Sequence, residues 1–100
     1  MKTIQPPKHL TPEGRKLWKT ISDDVELDQP ALLLLTTLCE AFDRMNQARE
    51  VLKRDGILVK DRFGQEKAHP ACGIERDSSA SLMRAWRLLG FDQAPPVGGQ

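Results

Sequence analysis

Four carboxylates lie close together between residues 23 and 28, and they are the nearest this chain comes to a catalytic or metal-binding cluster. They are Asp23, Asp24, Glu26 and Asp28. A metal site would need a histidine or a further carboxylate to complete it, but His9 and His69 are isolated in the sequence. Acidic residues beside a helix start are explained by capping and by the positive end of the helix. The sequence therefore predicts no metal ion, no cofactor and no catalytic residue.

Basic side chains are the second group with a chemical use, because lysine and arginine bind phosphates. Arg15 and Lys19 are like charges four residues apart on one helical arc, a mildly unfavourable pairing that contacts with phosphates would relieve. An ordinary solvated helix face is the alternative interpretation of that arc. The candidate DNA-binding residues are Lys8, Arg15, Lys16, Lys19, Arg76, Arg84 and Arg87.

The composition is that of one globular domain. The chain has 100 residues, of which 39% are apolar and 29% are charged, and its formal net charge is +1. A net charge this small excludes a protein that coats nucleic acid through bulk charge alone. The charge is nevertheless arranged in blocks, since residues 1–19 are basic, residues 20–43 are acidic and residues 44–67 are basic again. Such blocks suit an assembly in which unlike surfaces meet, or a local footprint on an acidic partner.

Signals for a membrane or an oxidising compartment are absent from the sequence. Cys39 and Cys72 are too few for a disulfide framework and are interpreted as reduced cysteines of an intracellular protein. Residues 1–7 lack the apolar core of a signal peptide, and the longest apolar run, Ala31–Leu35, is far too short to span a bilayer. We expect a cytoplasmic protein with no membrane partner and no small-molecule substrate.

Each of three predicted helices begins at a capping residue close to a proline. The start signals are Thr11-Pro12, Asp28 with Gln29-Pro30, and His69-Pro70. Gly56 ends the second helix and Gly90 the third, because glycine accepts the left-handed conformation found there. The second helix is long, at about 26 residues or about 39 Å. Trp18 and Trp86 lie on apolar arcs, so we expect them to pack in the core rather than stack on bases.

Two short strands are predicted between the second and third helices. Residues 57–60 and 65–68 flank a turn over residues 61–64. A lone two-stranded hairpin is marginal in water, so it must lie against another surface, such as a neighbouring subunit. Basic residues of the hairpin are weaker DNA-binding candidates, because acidic residues interleave with them. These residues are Lys60, Arg62 and Lys67.

The predicted fold class is therefore mainly α, with three helices, one long central helix and a small β-hairpin between the second and third helices. We expect a flexible N-terminal arm over residues 1–10, a helical domain over residues 11–91 and a flexible C-terminal tail over residues 92–100. The long helix carries an apolar stripe from Ala31 to Leu52, which we interpret as too large for this small chain to bury alone. The predicted oligomerisation residues are Leu35, Leu38, Phe42, Met45, Leu52, Ile57 and Val59.

Several short motifs in a fixed order resemble one protein family. They are Pro7-Lys8-x-Leu10-Thr11 with Trp18 downstream, Asp28 opening the long helix, Gly56 before the hairpin, His69-Pro70, and Leu88-Leu89-Gly90. Together they resemble the phage terminase small subunit family, and more closely its branch from long-tailed phages and prophages that cut cohesive ends. The resemblance covers residues 6–91, and it is carried by the order and spacing of the motifs.

The resemblance implies a non-enzymatic DNA-packaging subunit. Members of the family form rings, recognise double-stranded phage DNA at the packaging start, and regulate a separate large terminase subunit that carries the ATPase and nuclease. The expected location is the cytoplasm of an infected or lysogenic bacterial host. Family members commonly follow the final Leu-Gly with a Thr-Pro and a basic segment, where this chain has Phe91-Asp92-Gln93 and an uncharged tail. That departure removes the support for a DNA or motor contact in the tail.

Two other functional classes are compatible with the residues. A structural adaptor or assembly protein without DNA affinity would show binding that does not depend on salt. A dimeric transcriptional regulator would be expected to have a compact helix-turn-helix with a short recognition helix, which a long helix followed by a hairpin does not resemble.

Overall fold

The chain folds into three helices and one two-stranded hairpin, in a computed structural model that describes residues 4–91. The elements in chain order are α1 (Pro12–Asp24), α2 (Gln29–Asp55), β1 (Leu58–Lys60), β2 (Glu66–Ala68) and α3 (Pro70–Leu88). The strands pair antiparallel, with Val59 opposite Lys67. The predicted fold class is confirmed, including the long central helix and the position of the hairpin. The predicted tail over residues 92–100 lies outside the described residues.

Side-chain caps explain where the three helices begin. The Thr11 hydroxyl accepts a hydrogen bond from the Gly14 amide at 3.0 Å, and the Asp28 carboxylate accepts one from the Ala31 amide at 3.0 Å. The third cap is His69, described below. In each helix a proline occupies one of the first two positions, where its missing N–H costs no intrahelical hydrogen bond. All three predicted helix starts are therefore confirmed. At the end of α2, Gly56 has a φ of 82°, which favours glycine.

The hydrophobic core lies at the end of the molecule where all three helices meet. α1 runs antiparallel to the first half of α2, because Thr11 contacts Asp43 while Trp18 Nε1 donates to Thr36 Oγ1 at 3.2 Å. α3 returns antiparallel along α2 and brings Ala85 into the same cluster. The core cluster consists of Leu10, Trp18, Ile21, Leu35, Leu38, Cys39 and Ala85. Leu10 is only 2% exposed, so the last residue of the predicted arm belongs to this core.

The single chain buries part of the apolar stripe on α2 by itself. Leu35, Leu38 and Met45 are 0%, 1% and 9% exposed within a single chain, because α1 and α3 of that chain fold back along α2. These three residues therefore belong to the packed interior of the single chain, and their predicted part in oligomerisation stays a prediction. Phe42, Leu52 and Val59 are half-buried, whereas Ile57 is 64% exposed.

His69 closes the junction where α2, the hairpin and α3 meet. Its Nδ1 accepts a hydrogen bond from the Ala71 amide at 3.0 Å, its Nε2 pairs with the Asp55 carboxylate at 3.0 Å, and its backbone N–H donates to the Ile57 carbonyl at 2.7 Å. An imidazole in these roles carries its proton on Nε2. The Arg54 guanidinium first, and His69 second, hold the pKa of Asp55 well below its usual range.

The molecule is elongated because α2 and α3 extend beyond α1. Its extents are 59 × 36 × 20 Å and its radius of gyration is 17.2 Å, against about 13 Å for a compact domain of this length. The three-helix core occupies one end, and the α2–α3 pair with the hairpin forms the other. Among residues 4–91, no helix is long and apolar enough to cross a membrane.

Candidate nucleic-acid interface

The basic residues of α1 do not all face solvent in the same way. Lys16 is exposed, and Lys19 forms an exposed ion pair with Asp23 at 3.4 Å. Arg15 instead turns back along the chain, where its guanidinium donates to the carbonyl oxygens of Lys8 and Leu10. Arg15 therefore holds the segment before α1 against the helix and leaves the Lys8 side chain exposed.

The basic residues of α3 also divide into paired and free side chains. Arg76 forms an exposed ion pair with Asp77 at 3.3 Å. Arg84 donates to the Ser81 hydroxyl at 3.4 Å and has no carboxylate partner among the described residues. Arg87 lies exposed in the last turn. The structure thus separates Arg76, towards the hairpin end, from Arg84 and Arg87, at the three-helix end.

Four of the predicted DNA-binding residues remain exposed with no carboxylate within 4.0 Å in residues 4–91: Lys8, Lys16, Arg84 and Arg87. They lie on two helices and one preceding segment, and all of these pack against the same core cluster. The fold therefore brings residues that are about seventy positions apart in sequence to one end of the molecule, on backbones that are rigid because they are helical or tied to a helix.

The fixed position of α1 depends on Asp43, a buried carboxylate that is not among the site residues predicted from the sequence. Asp43 is 8% exposed and accepts hydrogen bonds from the Thr11 amide at 2.8 Å and from the Thr11 hydroxyl at 2.6 Å. Gly14 lies against the same carboxylate, so a Cβ at that position would come within 2.6 Å of Oδ2. In the sequence, an aspartate among apolar residues of α2 could have indicated a buried carboxylate. Nothing near it in the sequence identifies Thr11 as its hydrogen-bond partner.

Cys39 has no chemical role in this arrangement. Its side chain is completely buried, and burial, followed by the nearby carboxylates of Asp43 and Glu40, raises the pKa of the thiol to about 12. A neutral, inaccessible thiol is a poor nucleophile and a poor metal ligand. Among residues 4–91, no group of three or more histidine, cysteine or acidic side chains is placed to hold a metal ion. In the acidic stretch, Asp28 caps α2 and Asp23 pairs with Lys19.

The hairpin carries a second set of exposed basic residues, and acidic residues alternate with them. Its acidic residue Asp61 turns inward, where Oδ1 accepts hydrogen bonds from the amides of Phe63 and Gln65 at 2.8 and 3.0 Å. Asp61 also pairs with Lys67 at 3.6 Å, and Lys60 lies opposite Glu66 in the strand register. Arg62 has no carboxylate within 4.0 Å among residues 4–91. The pattern Asp-x-x-Gly at a turn is the signal for the inward position of Asp61, since aspartate at the first turn position commonly accepts from the backbone of its own turn.

Comparison with known families decides the class of the protein. Residues 14–94 match a family described as phage terminase, small subunit. The chain belongs to this family. The match runs from the first turn of α1 past the end of α3, so it includes the hairpin and the exposed cations Lys16, Arg84 and Arg87, but not Lys8 or the core residue Leu10. No curated protein and no solved structure matches the chain. Terminase small subunits have a role in packaging phage DNA, and they are generally the non-catalytic subunit of the packaging machinery.

Proposed function

We propose that this terminase small subunit binds double-stranded DNA through its phosphates and delivers it to a separate large subunit, which performs the ATP hydrolysis and DNA cleavage. The observation that carries the proposal is a set of exposed cations on the elements that pack around the core at the three-helix end. Within residues 4–91, Lys8, Lys16, Arg84 and Arg87 have no acidic partner, in a chain whose net charge is only +1. Unpaired cations gathered on one end provide a local footprint for a polyanion.

The other predicted cations take lesser parts in this proposal. The Lys19–Asp23 pair is exposed and contributes little to stability, so Lys19 can exchange its carboxylate for a phosphate at small cost. The same holds for Arg76 and Asp77, but Arg76 lies away from the three-helix end. Arg15 acts indirectly, because its guanidinium fixes the carbonyls on either side of His9 and thereby positions Lys8.

Self-association strengthens this binding in the proposal. A footprint of four cations is weak by itself, but several copies that present it together gain affinity through multivalency. The surface proposed to join the copies is at the hairpin end, where Ile57 is 64% exposed and Val59 is half-buried. Beside them, an apolar groove between α2 and α3 is lined in part by Val51, Pro70 and Ile74.

Salt-dependent titration of a labelled duplex tests the DNA-binding function. Binding of the whole chain to a duplex of about 30 base pairs, followed by fluorescence anisotropy, should weaken steeply as NaCl rises from about 50 to about 400 mM. Lys16→Ala should lower the slope of log K against log salt by about 0.9 for each phosphate that the lysine neutralises in the unmodified chain. Lys16→Arg keeps the positive charge and is the matched control, so its slope should remain that of the unmodified chain.

The same titration separates this proposal from a structural adaptor. An adaptor without DNA affinity would give no anisotropy change, or a small one that does not depend on salt. Equal slopes for Lys16→Ala and Lys16→Arg, in a chain that does bind DNA, would contradict the assignment of the α1 surface. A phosphate-dominated footprint also predicts similar affinities for duplexes of unrelated sequence.

A further inference from the structure

The hairpin is the least supported element of the structure. All six strand residues are exposed except Val59, which is half-buried, and Phe63 at the tip is 76% exposed. Exposing a phenylalanine ring to water at the end of a projecting element is unfavourable, because an aromatic side chain gains most when it is buried. A two-stranded hairpin with strands of three residues is also marginal alone. The tip therefore offers an apolar contact to a binding partner.

The turn nevertheless holds Phe63 in a defined position. The Gly64 amide donates to the Asp61 carbonyl at 3.0 Å, and the Asp61 carboxylate accepts from the Phe63 and Gln65 amides. Gly64 has a φ of 78°, a conformation that follows a tight turn and favours glycine. Phe63 is thus displayed outward by a turn that its own hydrogen bonds stabilise.

One cation lies against the exposed ring. The Arg62 guanidinium lies over the Phe63 ring, with Cζ 5.3 Å from the ring centroid. Asp61 is already paired with Lys67 at 3.6 Å. Glu66 is therefore the one other acidic residue of the hairpin that can offset the charges of Lys60 and Arg62. The tip therefore combines an apolar wedge with positive charge.

We infer that the hairpin tip is a second DNA contact, in which Phe63 inserts into a base step from the minor groove while Arg62 lies in that groove. This inference rests on the proposed function and extends it to a second surface. Apolar side chains that insert between base pairs from the minor groove, together with arginine or lysine beside them, unstack the step and kink the duplex. The minor groove is only about 6 Å wide, so the inference places only the Phe63 ring and the Arg62 guanidinium in it, and leaves the paired strands outside.

The hairpin is less suited to a protein partner at its tip. Antiparallel pairing places Lys60 opposite Glu66 on the face that carries Leu58, and Lys67 opposite Val59 on the other face. Both faces near the tip are therefore partly charged, whereas a protein partner would be expected to bury a predominantly apolar centre. A duplex offers phosphates for the cations and base faces for the ring.

Fluorescence of 2-aminopurine tests the insertion directly. The probe is a duplex of about 30 base pairs with 2-aminopurine in place of adenine at a central TA step, because pyrimidine–purine steps are the most easily unstacked. The whole chain should raise the fluorescence at saturation. Phe63→Ala should abolish that rise and weaken binding about tenfold, the usual order for one base-stacking side chain, while the salt slope stays unchanged. Leu58→Ala, another exposed apolar residue of the hairpin, is the matched control and should keep the rise.

The outcomes distinguish this inference from the proposed function. If the whole chain binds DNA with a steep salt slope but never raises the 2-aminopurine signal, the wedge is wrong and phosphate binding stands. If the chain binds no DNA, both fail together. If Phe63→Ala leaves the fluorescence intact but lowers the molar mass of the chain in solution, the tip contacts another copy of the protein and the DNA assignment is overturned.

Discussion

Asp43 is a carboxylate that is almost fully removed from water, and groups at the start of α1 stabilise it there. It accepts from the amide and the hydroxyl of Thr11, and that hydroxyl in turn accepts from the Gly14 amide. The negative charge therefore lies beside the positive end of α1, where it is stabilised by the helix dipole. A buried charge without such partners would cost several kcal/mol, on the order expected for an unpaired ion. Asp43 thus fixes both the position and the direction of α1, and with them the position of Lys16.

Two glycine substitutions test how closely Asp43 approaches α1. Gly14→Ala should destabilise the chain by about 1–3 kcal/mol, because the new Cβ overlaps a carboxylate that is held on both oxygens. Gly73→Ala is the same change within α3, where the new Cβ meets only Arg76 Nη2 at 3.6 Å. It should stabilise the chain by about 0.5–1 kcal/mol, the usual gain of alanine over glycine in a helix. Urea denaturation measures both, and equal stabilities for the two variants would contradict the packing described for Gly14.

At the scale of elements, the junction at His69 holds the hairpin between two helices. One imidazole caps α3 and pairs with the last residue of α2, while the backbone of the same residue closes the base of the hairpin. The lowered pKa of Asp55 makes the stability of this junction depend on pH. The contacts of Asp55 stabilise the fold at pH values above the ordinary pKa of an aspartate, and this contribution is lost as the pH falls below that value. The reason is that Asp55 binds a proton less readily in the folded chain than in the unfolded chain.

Substitution at position 69 separates the cap from the other contacts of the junction. His69→Ala removes the acceptor for the Ala71 amide and should lower the free energy of unfolding by about 1 kcal/mol, the usual value of an N-cap. His69→Asn retains a side-chain oxygen that can accept from the same amide, so it should recover most of that loss. Urea denaturation at neutral pH is the measurement. An alanine variant as stable as the unmodified chain would show that the cap contributes nothing to the fold.

The elements could be predicted from sequence because their signals are local. Thr11, Asp28 and His69 act on amides two or three residues away, and Gly56 acts on its own backbone. Their positions therefore follow from short-range rules of capping and turn formation.

Contacts across the chain could not be read in the same way. Asp43 reaches back 32 residues to Thr11, and no spacing rule connects the two. The charge pattern predicts that Arg15 faces DNA, but its side chain turns to two backbone carbonyls that only the folded N-terminal segment places within reach. A count of charges sets Asp61 against the hairpin cations, and it does pair with Lys67, but the same carboxylate also accepts from two amides of its own turn. In each case the competing partner is a backbone group, which composition and charge counts do not consider.

For the whole molecule, the burial of the α2 stripe bears on where the proposed self-association would occur. One chain buries Leu35 and Leu38 with its own α1 and α3, so any contact between copies has to use what remains exposed. Large exposed apolar residues lie at both ends of the molecule, with Leu33 and Leu88 at 67% and 71% exposure at the three-helix end. At the hairpin end, exposed Ile57 lies next to the His69 junction, and His69 also lines the apolar α2–α3 groove. The apolar surface at the hairpin end is therefore more continuous than the one at the three-helix end.

Molar mass in solution, compared across two apolar substitutions, tests that location. The unmodified chain should scatter light as a discrete multiple of 11.3 kDa at micromolar concentration. Ile57→Ser should lower the mass and leave stability almost unchanged, because the side chain is 64% exposed within one chain. Leu38→Ala, at a residue 1% exposed, should instead cost about 2–5 kcal/mol in unfolding free energy through the cavity it leaves. A folded single copy of the unmodified chain would remove self-association from the proposed function. Dissociation of folded chains by Leu38→Ala but not by Ile57→Ser would show that the α2 stripe opens to a second copy after all.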